Sequence, residues 1–309
     1  MRTALAVLLT LFPLLATPAV VNVEFNFSPY TGNPDKEDVI VFVPGQARLF
    51  INGLPFAEVE VRQQKYKIIF SDREISSAPV NLTGESFGAS LRKSKNMLRV
   101  EFVPADSKRP YTAELAWASV TDAPAETRDA RGVVSSTNLS QKGKERKAAQ
   151  GTAVFEREFQ ADFAIDRPWH RYPPVKDLSE ADRQQIRTVV AQRLDALQPD
   201  FKVLYEWLER NGFKVAEIRK QKILEQIRAS GLRIRVADAA RLEFVVGRGP
   251  AVMVKAAGGA PVYRPENPQV LSKIADKGEQ DFAMSILPQV FPARLLVARA
   301  PSGAWEAVD

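Results

Sequence analysis

Gln46-Ala-Arg-Leu-Phe-Ile-Asn-Gly53, followed by Leu54-Pro-Phe-Ala-Glu-Val-Glu-Val-Arg62, decides the fold of the first half of this chain. Leu49 and Ile51 point one way and Arg48 and Phe50 the other, the period-two pattern of a strand with one face buried. Asn52-Gly53 is a strong hairpin-turn dipeptide, because both residues tolerate a positive φ. A partner strand is therefore expected at once, and Phe56 to Arg62 supplies it, with Val59 and Val61 alternating against Glu58, Glu60 and Arg62. Leu91-Arg-Lys-Ser-Lys-Asn-Met-Leu-Arg-Val-Glu-Phe-Val103 repeats the alternation through Leu98, Val100 and Phe102. This half reads as all-β.

The same alternation extends outward on both sides. Val21 to Phe27 predicts an opening strand, Val39 to Val43 a short apolar one ended by Pro44-Gly45, and Tyr111 to Thr121 another, with Ala113, Leu115 and Trp117 on one face. Thr152 to Phe163 returns to the pattern and is expected in the same sandwich. Between them, residues 122–150 hold Pro124, Gly132, Gly143 and the basic run Lys142-Gly-Lys-Glu-Arg-Lys147, with almost no large apolar residue. Such a segment buries too little to offset its ordering entropy, so a flexible loop is expected at 122–150. Asp166-Arg-Pro-Trp-His-Arg-Tyr-Pro-Pro-Val175, rich in proline, reads as a stiff connector over residues 166–176.

Beyond it, residues 177–309 change period. Ser179 is a good N-cap with Asp182 three residues on, and Ile186, Val189, Val190, Leu194 and Leu197 recur at helical spacing. Phe201, Leu204, Tyr205 and Leu208 mark a second helix, closed by Asn211-Gly212, and Val215 to Ala229 a third helical stretch. Strands follow at Leu232–Val236, Leu242–Val246 and Ala251–Lys255, one or two helical turns are allowed over Asn267–Lys277, and Arg294–Arg299 with Trp305–Val308 predicts a terminal hairpin. The expected fold class is an all-β, jelly-roll-like sandwich over residues 20–165 followed by a smaller α+β domain over 177–309, helices first and an antiparallel sheet after them.

The N-terminus carries its own signal. Arg2 precedes the apolar run Ala4 to Leu15, and Thr17 and Ala19 stand three and one residues before a small-residue cleavage position. This predicts a secretory signal peptide over residues 1–19. A retained anchor needs about 20 apolar residues, and Pro13 and Pro18 interrupt this run. The 309 residues carry a net charge of +6, and removing Arg2 with the signal leaves +5. So small an excess, without an arginine-rich helix, predicts no nucleic-acid partner. The chain has no cysteine, which excludes both a disulfide framework and a lipid-bearing cysteine. Export to the periplasm or the medium is the expected localisation, with no stable membrane insertion after cleavage.

Ala47 to Gly53, then Leu91 through Asn96-Met-Leu-Arg-Val100, resembles the jelly-roll module of the galactose-binding-like superfamily. That module has an apolar strand ending in Asn-Gly and, later, a leucine, a polar turn with Gly-Asn and an alternating strand. Asn52-Gly53 match, and Lys95-Asn96 stands where Gly-Asn is usual. The resemblance spans residues 46–103 and implies a β-sandwich; it implies no sugar contacts, and none are carried over. The helix-then-sheet second half is similar in order to the cone-shaped fold of nuclear-transport-factor-like proteins, whose last hairpin ends as Trp305-Glu-Ala-Val308 does.

No residue pattern names a catalyst. His170 is the sole histidine, there is no Gly-x-Ser-x-Gly elbow, and a histidine-rich metal site is excluded by count. No cofactor or metal is expected. The reading is a non-enzymatic binding or envelope-assembly module for a carbohydrate or an envelope protein, with Tyr30, Trp169, His170 and Tyr172 as the candidate ligand-binding residues, stacking if exposed. The alternative is a carbohydrate-active hydrolase drawing two acids from Asp35, Glu37, Asp38, Asp72, Glu74, Glu156 and Glu158, which would have to face a sugar about 5–10 Å apart.

Overall fold

The computed structural model describes residues 18–308 apart from 38, 69–73, 129, 133, 198–199 and 211–213. The expected signal peptide, up to position 17, lies outside the described residues, as do the helix stop at Asn211-Gly212 and the carboxylates Asp38 and Asp72.

The first domain contains β1 (Val20–Thr31), β2 (Val41–Phe42), β3 (Gly45–Ile51), β4 (Leu54–Val61), β5 (Lys65–Lys67), β6 (Glu74–Ser76), β7 (Val80–Thr83), β8 (Ser94–Pro104), β9 (Tyr111–Arg128), β10 (Val134–Ala149) and β11 (Ala153–Ala161). One antiparallel sheet runs β10-β9-β1, with β7 and β2 sharing the far edge of β1; the other runs β11-β8-β3-β4. The two pack face to face. Phe27 of β1 meets Phe102 of β8 and Phe155 of β11 at ring-centroid distances of 5.7 and 5.9 Å. Ala47, Leu49, Ile51, Leu98, Val100 and Phe102 are fully buried, as the alternation predicts. A side chain the size of Leu or Phe contributes about 1.5–3 kcal/mol on such burial. At the β3–β4 turn Ile51 pairs with Leu54, and Asn52 and Gly53 have φ of 52° and 81°, the two positive values that a two-residue hairpin requires.

The loop expected at 122–150 is instead a long hairpin. β9 and β10 pair from Tyr111–Ala149 out to Arg128–Val134, with a bulge between Asn138 and Ser140. β1 accompanies β9 only as far as Thr121, so beyond that point the ribbon is two-stranded. The ladder of backbone hydrogen bonds holds it, and a low apolar content gives no sign of such a ladder when the ribbon has no core of its own to cover. Nearer the sandwich, Gly143 leaves room for the indole of Trp117, which a Cβ there would strike. The Arg157 guanidinium lies 3.9 Å from the centroid of that ring.

The second domain contains α1 (Glu180–Gln192), α2 (Lys202–Arg210), α3 (Val215–Gln221), α4 (Ile223–Ala229), β12 (Ile234–Val236), β13 (Leu242–Val246), β14 (Ala251–Ala256), β15 (Tyr263–Pro265), α5 (Lys277–Val290), β16 (Leu295–Arg299) and β17 (Trp305–Ala307). The third helical stretch is two helices, broken at Lys222, whose φ is 53°. The turn or two allowed over Asn267–Lys277 is present as a 3₁₀ helix, Pro268–Lys273, and α5, which was not expected from the sequence, follows it. Strands β13-β14-β16-β17 form one antiparallel sheet and β12-β15 a two-stranded ribbon.

That larger sheet is covered on both faces, which explains why β14 and β16 read as continuous apolar runs rather than alternating ones. Val252, Val254, Leu295 and Val297 pack into the helices' core. Ala251, Met253, Leu296 and Ala298 face the other way, into a cluster with Leu54 of β4 and Trp169 of the connector. The sandwich is thus docked directly on the sheet. The Asn52-Gly53 turn meets the Gly247-Arg248-Gly249 turn: the Arg248 amide donates to the Asn52 carbonyl at 2.6 Å, and Arg92 Nη2 donates to the Arg248 carbonyl at 2.8 Å. Arg248 Nη2 also reaches Glu156 Oε1 at 3.0 Å, and Arg294 Nη1 donates to the carbonyls of Pro55 and Phe56.

Candidate functional site

The four predicted ligand-binding residues separate into different environments. Tyr30 is only 2% exposed in the sandwich core, its hydroxyl 3.4 Å from Glu114; burial and that carboxylate hold the phenol above its usual pKa. Trp169 is 5% exposed and wedged between the domains. Neither is open to a ligand arriving from solvent, so the expectation of stacking platforms at these two positions is corrected: their apolar rings serve the two cores.

His170 lies edge-on to Trp169, ring centroids 4.2 Å apart, and its Nδ1 accepts a 3.4 Å bond from the Arg167 amide. Its pKa is pushed down to about 4, first by burial and then by Arg92, with Arg167 and Arg171 adding and Asp166 opposing. The ring is neutral at ordinary pH. The connector is therefore no free spacer; a single 3₁₀ turn, Pro168–Arg171, plants Trp169 and His170 at the joint.

Tyr172 leads to the open site. Its hydroxyl donates to Glu306 Oε1 at 2.8 Å, tying the connector to β17. Immediately beyond, a cleft of about 500 Å³ opens between the connector (Pro173, Pro174, Lys176) and the terminal hairpin (Arg299, Pro301, Trp305). Its volume falls within the range of about 300–1,000 Å³ usual for small-ligand sites. Sequence folds each wall for a local reason. Pro173-Pro174 keeps one wall extended, and Pro301-Ser-Gly303 turns the hairpin, with Gly303 at φ 89°.

The base of the cleft is a hydrogen-bonded network. Asp182, on the first turn of α1, accepts from the Trp305 indole N–H at 3.0 Å and from the Ser179 hydroxyl and amide at 2.6 and 3.0 Å; its own amide donates to Ser179 Oγ. Arg299 Nη1 stands 3.8 Å from the same carboxylate, and its Nε donates to the Gly303 carbonyl. The Ser179 hydroxyl first, then the indole, hold the Asp182 carboxyl below its usual pKa, so it stays ionised. The capping box predicted from Ser179 and Asp182 thus also orients Trp305 and Arg299. Neither of these was singled out as a ligand contact from the sequence; the signal available was the aromatic residue following Pro301-Ser-Gly303.

Among the described residues the predicted carboxylates do not line this cleft. Asp35 pairs with Arg146 at 2.9 Å, Glu74 with Lys65 at 3.8 Å, Glu156 with Arg248 at 3.0 Å and Glu158 with Lys95 at 3.0 Å, while Glu37 is exposed. The carboxyls of Asp35, Glu60 and Asp182 are all shifted downward, each held first by a hydrogen bond, from Arg146, Arg62 and Ser179 respectively. None of these three is a protonated acid ready to donate to a leaving group. Among the described residues no three His, Cys, Asp or Glu side chains are grouped to hold a metal ion, and no helix is long and apolar enough to cross a membrane. Comparisons with known protein families, with curated proteins and with solved structures find no match to this chain.

Proposed function

We propose that this chain is an exported, non-enzymatic binding module of the cell envelope, acting in the periplasm or outside the cell, and that it recognises a carbohydrate in the cleft between connector and terminal hairpin. One observation carries the reading. The cleft joins proline walls, above the buried edge of Trp305, to the exposed guanidinium of Arg299 beside Asp182, and that mixture suits a sugar ring, with its apolar faces and hydroxyl edges. The sandwich supports the site from behind: Trp169 and the connector that form its approach are clamped between the two domains. Asp182 beneath the cleft is committed to orienting Trp305 and Arg299, and among the described residues Asp177 is the one acid lining the cleft, short of the pair that hydrolysis uses, which favours binding.

The test is a titration of the mature protein with a panel of envelope polysaccharides and their oligosaccharides, read by tryptophan fluorescence and by calorimetry. Saturable binding that Arg299→Ala weakens by at least about tenfold is the expected result. Retention of none of the polysaccharides, or retention unaffected by Arg299→Ala, refutes the assignment. Release of reducing ends during the same incubation would favour the hydrolase instead.

A further inference from the structure

A second opening lies at the other end of the same domain, and the argument for it is independent of the carbohydrate cleft. In the register of the β12–β15 ribbon, Arg235 stands directly opposite Arg264. Two rungs along, and so on the same face, Arg233 stands beside Glu266, and those two form an ion pair at 3.6 Å. That face of the ladder thus sets a neutralised rung next to one that repels itself. Like charges directly opposite destabilise a strand pair, by up to about 1 kcal/mol, and a single acidic substitution would remove the cost.

Arg241, from the 3₁₀ turn leading into β13, brings a third guanidinium to the same place. Its Nη2 donates to the Ala257 carbonyl at 3.5 Å, and all three arginines are solvent-exposed. Together with Asp238, Ala260 and Pro261 they line a cleft of about 360 Å³. Asp238 is the only acid in that lining, and its Oδ1 accepts the Ala240 amide at 2.9 Å, capping the turn rather than reaching an arginine. Arg235 and Arg264 have no ion-pair partner among the described residues. The strands and Pro261 hold the wall between them stiff, with Val262 and Tyr263 buried beneath.

Guanidinium forks match the oxygens of carboxylates and phosphates, two parallel hydrogen bonds at a time. A carboxylate offers one charge and two oxygens, which one or two forks exhaust. Three forks around one cleft are matched by a phosphate monoester, with about −1.5 to −2 charges and three terminal oxygens. We propose that Arg235, Arg241 and Arg264 form a phosphate-binding site, taking the phosphate group of a phosphorylated ligand.

The experiment compares the full chain with Arg264→Glu and Arg235→Ala, using inorganic phosphate, glucose 6-phosphate and acetate as probes in calorimetry at low salt and in thermal denaturation. Wild type is expected to bind both phosphate probes saturably and acetate at least about tenfold more weakly, with a thermal midpoint that rises with phosphate concentration. Arg264→Glu converts the repelling rung into an opposite-charge pair. It should lose phosphate binding by at least about tenfold while melting no lower than wild type, a combination that a merely structural role for Arg264 would not give. Arg235→Ala should lose binding as well. Tighter binding of glucose 6-phosphate than of inorganic phosphate places the physiological ligand among phosphorylated sugars; the reverse places it with the free ion. Absence of saturable phosphate binding to wild type, equal affinity for acetate, or undiminished phosphate affinity in Arg264→Glu each overturns the proposal.

Discussion

Replacing Asn52 by alanine tests the joint on which both domains rest. The side chain is 7% exposed and makes three hydrogen bonds: Nδ2 donates to the Ser90 carbonyl at 3.1 Å and to Asn96 Oδ1 at 2.9 Å, and Oδ1 accepts from the Met97 amide at 3.0 Å. Asn96 Oδ1 keeps a second partner, the Arg92 amide at 2.9 Å. Truncation therefore strands two backbone groups, at about 1–3 kcal/mol for each buried group left unmade. Asparagine occupies a φ of 52° with the help of the hydrogen bonds its side chain makes, and alanine, with the same Cβ and none of those bonds, leaves the about 1–2 kcal/mol cost of that conformation uncompensated. The expected loss for Asn52→Ala is about 3–8 kcal/mol. Glycine at the same position forfeits the hydrogen bonds but not the backbone conformation, so Asn52→Gly should be less destabilising than Asn52→Ala by about 1 kcal/mol. Urea unfolding of the three proteins, followed by far-ultraviolet circular dichroism, measures both differences. A loss under about 1 kcal/mol for alanine, or alanine and glycine variants of equal stability, refutes the account of the turn.

Two further predictions concern the joint around Trp169. His170 is neutral in the folded protein down to about pH 4, whereas in the unfolded chain it takes up a proton near pH 6.5. Its contribution is fully present above pH 6.5 and is lost as the pH falls from 6.5 to about 4, at most about 3 kcal/mol; His170→Gln should flatten that part of the stability–pH curve, and urea midpoints measured from pH 7 to 4 in both proteins decide it, parallel curves being the refuting result. Gly249 has a φ of 153°, and a Cβ there would fall on the guanidinium of Arg92, so Gly249→Ala should break the Arg92 bond to the Arg248 carbonyl and loosen the docking. Limited proteolysis should then cut the 166–176 connector several-fold faster than in wild type, and an unchanged rate would contradict the role given to this contact.

Alternation of apolar and polar residues was sufficient to recover the sandwich because each of those strands has one dry face. Leu49 and Ile51, or Leu98 and Val100, declare their side by burial alone. Residues 122–128 and 134–140 have no such obligation; their ladder extends past the last β1 partner, so composition resembles a loop while the backbone is paired on both sides of a bulge. Helix α5 was hidden by punctuation. Gly278 and Pro288 near its two ends suggest interruption, yet Ala283, Ile286, Leu287 and Val290 follow the i, i+3, i+4, i+7 stripe, and Asp276 caps the first turn through the Glu279 amide at 2.9 Å. The site was less legible than the fold. Tyr30, Trp169, His170 and Tyr172 were selected as aromatic or polar residues near loops, but only three-dimensional packing decides which of them a second domain covers. Of the four, Tyr172 alone stands next in the chain to the open cleft, beside Pro173, and its hydroxyl is tied to Glu306, some 134 positions away.

The two-sided burial of the β13-β14-β16-β17 sheet determines where this molecule can offer binding surfaces. Its helical face is filled by the residues that hold α1 to α5, and its other face by Leu54, Trp169 and their neighbours. Recognition is therefore left to the rims. β14 and β16 run antiparallel, with Ala251 opposite Ala298 and Val254 opposite Leu295, so the cleft at Arg299 and the arginine cleft beside Ala256 lie at opposite ends of the sheet. Loops at strand ends can change without disturbing either core, whereas a polar substitution at Val252 or Met253 would bury an unmatched group on one face or the other. The Asn52–Arg248 and Arg92–Arg248 bonds then have a functional consequence: they hold the Gly247-Arg248-Gly249 turn against the sandwich, and the Val175 amide, in the connector wall of one cleft, donates to the Gly249 carbonyl of that turn at 2.9 Å, so that closing on a ligand costs little ordering of the chain.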